Sequence, residues 1–237
     1  MRSRQTMKLP LLAGFGLVLC LIPGGPGRAR AQDGQDSHRR FRLSSTTFKN
    51  NATLPLSMIG NSPSPSNPSL NTCTQDGSPG GNQSPQLSWS HAPRHTRSFV
   101  VIAYDVTAAF THWGMYNISP ETTQLPENAG VTGSAVGTQV YNDFADAAYD
   151  GPCPPTSFVP LNHHYMFTVY ALDTKLRLVF EGIVFPPPPG STSPPHFPSL
   201  PEGLYHTLLK AAREGHILAS SSISGFYSAA APPGPAE

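Results

Sequence analysis

Several stretches of the chain are apolar and β-branched over the length of a strand, with Pro and Gly clusters between them. Ser98–Asp105 reads S-F-V-V-I-A-Y-D and carries no charge until its last residue, and Tyr165–Asp173 reads Y-M-F-T-V-Y-A-L-D. Gln86–Ser90 is shorter, with Leu87 and Trp89 on one face, and Trp113–Ile118 has the same character but alternates less cleanly. Apolar runs of this length, bounded by turn residues, predict the buried strands of a sandwich rather than helices. Further strands are expected within Leu176–Val184 and over Ile217–Tyr227. Helical spacing is convincing only in Glu202–Glu214, where Leu204, Leu208 and Ala211 share a face between Pro201 and Gly215 as start and stop signals. The fold class is therefore all-β with a minor helix near the C-terminal end.

Between these elements the chain is punctuated. Asn61–Ser69 and Gln75–Ser84 are loops by composition, and Pro186–Pro201, opening with four consecutive prolines, excludes helix and central strand. Ala229–Glu237 reads as a disordered Pro-rich tail, and Gln32–Arg40 as a polar, frayed segment. No internal repeat is apparent. Residues 41–228 then form one domain.

Residues 1–31 have the three parts of a secretory signal: Arg2, Arg4 and Lys8, the apolar stretch Leu9–Ile22, and an A-x-A site at Ala29–Ala31. The apolar stretch falls short of the roughly 20 residues that span a bilayer, although an uncleaved anchor is the other reading. Cleavage removes five basic residues and no acidic one. The formal charge of +1 becomes about −4, with no basic stripe left to meet a nucleic acid. The basic cluster Arg39, Arg40, Arg42 and Lys49 reads as a solvated segment. Only 12% of residues are charged, against 27 Pro and 21 Gly, which suits a turn-rich exported domain. Cys73 and Cys153 remain after cleavage, and an even pair in an exported chain suggests one disulfide; two buried thiols are the alternative. The expected location is periplasmic or secreted.

Chemistry-bearing residues gather at the ends of apolar runs. Asp105 ends one strand and His112 begins the next, so a hairpin brings both to one rim of a sheet. Tyr149-Asp150-Gly151-Pro152-Cys153-Pro154-Pro155 is stiff and can aim the Gly151 and Cys153 amides at a ligand, and His163-His164-Tyr165 follows. A lone histidine beside a strand is more often structural than a ligand.

In order and spacing these pieces resemble the phosphatidylethanolamine-binding protein (PEBP) family, most of all its bacterial YbhB/YbcL, or Raf kinase inhibitor-like, branch. The resemblance runs from about Phe41 to Tyr227. It rests on Phe41-Arg42-Leu43-Ser44-Ser45, Leu54-Pro55, Ser84-Pro85-Gln86-Leu87-Ser88-Trp89, His112-Trp113, Asn142-Asp143-Phe144, Gly151-Pro152-Cys153-Pro154-Pro155 and His163-x-Tyr165. It implies an antiparallel β-sandwich with a C-terminal helix and a small end pocket for phosphate-like anions. The implied ligand-binding set is Asp105, His112, Tyr149, Gly151, Pro152, Pro155, His163 and Tyr165, the histidines donating and Asp105 orienting an imidazole. Two departures bear on the ligand. The family's D-P-D-A-P is here D-V-T-A-A at 105–109, and Thr156–Asn162 makes a longer loop before His163, with His164 in place of arginine.

The expectation is an exported, non-enzymatic protein that binds a small anion without a cofactor, meeting membranes only through a lipid head group. The alternative is a surface-acting interaction module, or an inhibitor of kinases or proteases, with a degenerate pocket and Pro186–Pro201 as a contact surface. A serine hydrolase is disfavoured because Ser84, Ser88 and Ser90 lack a G-x-S-x-G elbow. Zinc is disfavoured because His163 and His164, adjacent on a strand, point to opposite faces.

Overall fold

The computed structural model describes residues 40–157, 159–178 and 201–230. The signal-like segment, most of the Pro-rich stretch and the last seven residues lie outside that set, so the expectations placed on them do too.

The strands form two sheets. A small antiparallel sheet has the order β1 (Arg42–Ser44), β3 (Leu87–Ser90), β6 (Gln124–Leu125). The larger sheet has the order β2 (Ala52–Thr53), β9 (Ile217–Tyr227), β8 (His163–Leu172), β4 (Ser98–Asp105), β5 (Phe110–Ile118), β7 (Thr138–Gln139). All its pairings are antiparallel except the short β2–β9 ladder. The expected runs Ser98–Asp105 and Ile217–Tyr227 are strands over their whole length. By contrast Leu176–Leu178, the described part of the expected strand 176–184, is not extended in a sheet.

Burial explains why the central strands read as continuous apolar runs. Inward residues Phe99, Val101 and Ala103 of β4 and Phe167, Val169 and Ala171 of β8 pack towards the small sheet, with Trp89 against Phe99 at 5.0 Å between ring centroids. The opposite face is covered as well. Val100, Ile102 and Leu172 meet the buried stripe Leu204, Leu208 and Ala211 of helix α1 (Pro201–Arg213). A strand covered on both faces loses its alternation, and hence its sequence signal for which face is which. The helix begins at Pro201 with Glu202 in its first turn, and carries Lys210 and Arg213 in its last. That arrangement matches the helix dipole. Gly215 follows at φ +78°, where a side chain would be strained. Ala229, assigned from sequence to a loose tail, is buried in the inner core, so the folded domain continues past Tyr227.

One irregularity decides the site. Ala103 pairs with Trp113 but the next residue, Tyr104, pairs with Thr111, leaving His112 as an extra residue in β5. Phe110 and Trp113 both reach the inner side of the sheet, which strict alternation would forbid for residues three apart. The bulge resets the parity and lets His112 and Trp113, neighbours in sequence, both serve that side. This is the physical reason that the run 113–118 alternates poorly.

Cys73 and Cys153 are joined in a disulfide with Cα atoms 4.4 Å apart and a sequence separation of 80. Nearby the backbones of three segments meet almost without room: a Cβ on Gly151 would lie 2.0 Å from the Met58 carbonyl oxygen and 2.6 Å from the Gly60 nitrogen. We expect Gly151→Ala to lower stability by about 3 kcal/mol, at the upper end of the range for overpacking. Urea unfolding of the variant checks this, and an unchanged midpoint would show that the contact relaxes freely.

Candidate functional site

The pocket lies where β4 ends. Asp105 is the cross-strand partner of Tyr165 on β8 and of Phe110 on β5. Side chains two residues further along each neighbour, His163 and the bulged His112, complete the cluster on the same side of the sheet. The cavity has a volume of about 150 Å³ and is lined by Asp105, Ala108, Phe110, His112, Phe144, Cys153, Pro154, Pro155, His163 and Tyr165. Drug-sized ligands occupy roughly 300–1,000 Å³, so this space suits a phosphate-sized group and a few further atoms.

Both imidazoles are held by their Nδ1 atoms. His163 Nδ1 donates to Asp105 Oδ2 at 2.6 Å, in a pair that is almost fully buried. Asp105 Oδ1 in turn accepts the amides of Thr107 at 2.8 Å and Ala108 at 3.1 Å. Both oxygens of the acid are thus engaged by the protein, and Asp105 acts as the orienter of His163. His112 Nδ1 lies 2.7 Å from the carbonyl oxygen of Asp150, which can only accept, so Nδ1 carries the hydrogen. The Asp150 amide donates back to the His112 carbonyl at 3.0 Å. Burial disfavours the charged ring and holds the His112 pKa below the usual histidine value, opposed by the Asp150 hydrogen bond and the nearby charge of Asp105.

Tyr165 lies between the two rings, 5.3 Å from His112 and 6.3 Å from His163. Its hydroxyl is buried and makes no hydrogen bond of standard geometry, although the Asp105 carboxylate lies close enough to act on it as an acceptor. A buried polar atom without a partner is rare in a folded protein and costs about 1–3 kcal/mol unless something binds there. Burial and the Asp105 charge push its pKa well above the ordinary tyrosine value, so the phenol stays protonated and can donate.

The stiff Gly151–Pro155 stretch faces the cavity only through its second half. Cys153, Pro154 and Pro155 form a wall, tied by the disulfide to Cys73, whose carbonyl accepts the Tyr227 hydroxyl at 3.0 Å. Tyr149, Gly151 and Pro152, expected at the ligand, lie outside the lining. Tyr149 is buried, with its hydroxyl donating to the Met58 carbonyl at 3.0 Å and its ring against Trp113. The Gly151 amide is committed to Asn82 Oδ1 at 2.7 Å, and the Pro152 carbonyl accepts from Gly60 at 3.0 Å. These three residues hold the wall and do not form it.

Other lining residues were not singled out from the sequence. Phe144 is half-exposed and packs edge-on against Phe110 at 4.7 Å and His112 at 5.6 Å. It is placed by Asn142, whose Oδ1 accepts the Phe144 and Asp146 amides and whose Nδ2 reaches Asp150 Oδ2 at 2.7 Å. The N-D-F triplet held the signal, since an Asn two residues before an aromatic forms such an Asx turn.

The departure D-V-T-A-A leaves the Asp105–His163 pair intact. Thr107 Oγ1 accepts the His164 amide at 2.9 Å, and the Val106 amide donates to the His164 carbonyl at 2.9 Å, so the turn is sewn to the edge of β8. His164 points away from His163 and stacks on Phe226 at 4.5 Å. Ser84, the buried serine of the disfavoured hydrolase reading, accepts the Gly130 amide through its hydroxyl and is not at the pocket. Among the described residues no group of three or more His, Cys, Asp or Glu side chains is arranged to hold a metal ion.

Comparison with known proteins agrees with this architecture. The family model described as phosphatidylethanolamine-binding protein matches residues 44–228. A UPF0098 protein of Methanothermobacter thermautotrophicus is 34% identical over 165 residues, which cover 68% of this chain and 89% of that protein. The UPF0098 protein YbcL of Escherichia coli is 42% identical over 110 residues, covering 42% of this chain and 57% of YbcL. The crystal structure of Escherichia coli YbcL matches 80% of this chain and 99% of its own with a TM-score of 0.57 at 28% identity. With a family model spanning most of the chain and the same fold in a solved relative, the chain belongs to the phosphatidylethanolamine-binding protein family.

Proposed function

We propose that the protein is an exported, non-catalytic binder of a small anionic group, phosphate or a phospholipid head group, held in the pocket between His112, His163 and Tyr165. The observation that carries this reading is a cavity of about 150 Å³ lined by two imidazoles whose Nδ1 atoms are already engaged, with the buried Tyr165 hydroxyl close by. The Nε2 positions are what a ligand can meet. A binding reading is favoured over hydroxyl, amine or thiol catalysis because the described lining offers no Ser, Thr or Lys, Cys153 is in the disulfide, and the phenol is held protonated.

Export is supported by the signal-like residues 1–31 and by the paired cysteines, since disulfides persist outside the reducing cytoplasm. Protein recovered from the extracytoplasmic fraction should begin at Gln32 by mass and show no free thiol before reduction. A mass that includes residues 1–31, or two free thiols, would contradict export by this route.

The pocket itself is tested by titrating the protein with inorganic phosphate and phosphoethanolamine, following the ring resonances of His112, Phe144 and Tyr165 by NMR. Saturating shifts are expected. His163→Ala should weaken binding by about 10- to 100-fold, the value of one charge-assisted hydrogen bond of roughly 1.5–3 kcal/mol. If no shift in the wild type saturates, the anion reading falls and a surface-acting module takes its place.

A further inference from the structure

We propose that the pocket takes up its oxyanion together with a proton, so that the species held is the anion plus one hydrogen on the line between His112 Nε2 and the ligand oxygen. This rests on the anion-binding reading above and specifies its chemistry.

The argument begins with the donors. An oxyanion needs hydrogen-bond donors, and the cavity has few. His112 uses its Nδ1 hydrogen on the Asp150 carbonyl at 2.7 Å, and a neutral ring then shows a lone pair at Nε2. His163 Nδ1 is engaged by Asp105 Oδ2 at 2.6 Å, so only its Nε2 is left for a ligand. Tyr165 has one hydroxyl hydrogen, on a buried atom close to Asp105. The backbone adds little, because the Thr107 and Ala108 amides go to Asp105 and the Gly151 amide goes to Asn82, which leaves the Cys153 amide on the wall as the remaining backbone donor.

Charge leads to the same place. Among the described residues no Lys or Arg lines the cavity, and the carboxylate in its lining, Asp105, is buried. An anion arriving beside it puts like charges together in a poorly solvated space, which is costly unless a proton comes as well. The titratable groups facing His112 are Asp105 on β4, His163 and Tyr165 on β8, and Asp143 and Asp150 on the loop before the wall. Asp143 and Asp150 are occupied by the Thr111 amide and by Asn82 and Asn142, respectively. Acidic charge therefore surrounds His112 on several sides while its ring stays neutral through burial. An approaching anion adds to the field that favours the imidazolium.

The balance of the step is simple. Free protein with neutral His112 and free hydrogen phosphate dianion take one proton from the buffer and give the complex. That proton rests either on Nε2, which donates to the anion, or on the phosphate, which donates to Nε2. In both cases the two partners share one hydrogen bond that neither could make alone. The pocket would thus favour oxyanions able to share a hydrogen, and would lose them as the pH rises.

Calorimetry with inorganic phosphate at pH 8.0, in two buffers of different ionisation enthalpy, reads the proton count directly. Uptake of about one proton is expected, with affinity falling about tenfold per pH unit between pH 7.5 and 8.5. His112→Gln, whose amide donates without titrating, should bind more weakly and lose both the uptake and the pH slope. Saturable binding with equal heats in both buffers and no pH slope would overturn the proton coupling and leave the anion site standing. Unchanged uptake in His112→Gln would overturn its assignment to His112. Absence of saturation at both pH 6.0 and pH 8.0 would overturn the anion reading, and the coupling with it.

Discussion

Everything at the site hangs from the place where β4 ends. That strand is held between β5 and β8, covered by the small sheet on one face and by α1 on the other, so its position is set by the whole core. Asp105 is its last residue. The carboxylate closes the turn through the Thr107 and Ala108 amides and fixes His163 across the ladder at 2.6 Å. One buried acid thus ends a strand, shapes a turn and orients a ring. Replacing it would leave His163 without its partner and the turn without its acceptor, each a costly loss in a buried place.

Around that acid the structure uses backbone groups more than side chains to hold the pocket. His112 is gripped twice by the main chain of Asp150, and Asp150 is held by Asn82 and Asn142 from different parts of the sequence. The proline wall is bound to Cys73 through the disulfide and stands on the glycine contact between Gly151 and the Met58–Gly60 segment. Closing a loop of that length contributes on the order of 4 kcal/mol to stability in the chain-entropy model, which adds to the packing beneath the wall. Rigid walls and fixed imidazole tautomers leave the ligand little ordering to do on binding.

Much of this was legible in the residues. Ser98–Asp105 showed its strand from end to end, because an apolar β-branched run between breakers has few other folds open to it, and Ile217–Tyr227, though broken by serines, is a strand over its whole expected length. Asp105, His112, His163 and Tyr165 were legible as a set through the family resemblance, and all four line the cavity. What was not legible has a common cause. A stiff stretch announces that it is stiff, but not which way it faces: Tyr149, Gly151 and Pro152, expected at the ligand, lie outside the cavity lining and bond to Met58, Asn82 and Gly60. Those partners lie some 70–90 residues away, and no local pattern reveals them. The bulge at His112 was visible only as poor alternation after it. Phe144 enters the sequence reading only as part of the N-D-F motif, without a role at the ligand, and Phe110 does not enter it, because an aromatic beside a turn is ordinarily core.

The central claim is that two imidazoles, each fixed through Nδ1, present Nε2 to one oxyanion. The most direct test is the ¹⁵N NMR spectrum of the histidine rings, free and saturated with phosphate. The account predicts that free His112 is the Nδ1–H tautomer and that phosphate moves the Nε2 resonances of both His112 and His163. If free His112 carries its hydrogen on Nε2, or if phosphate leaves both Nε2 resonances in place, the site does not work as described.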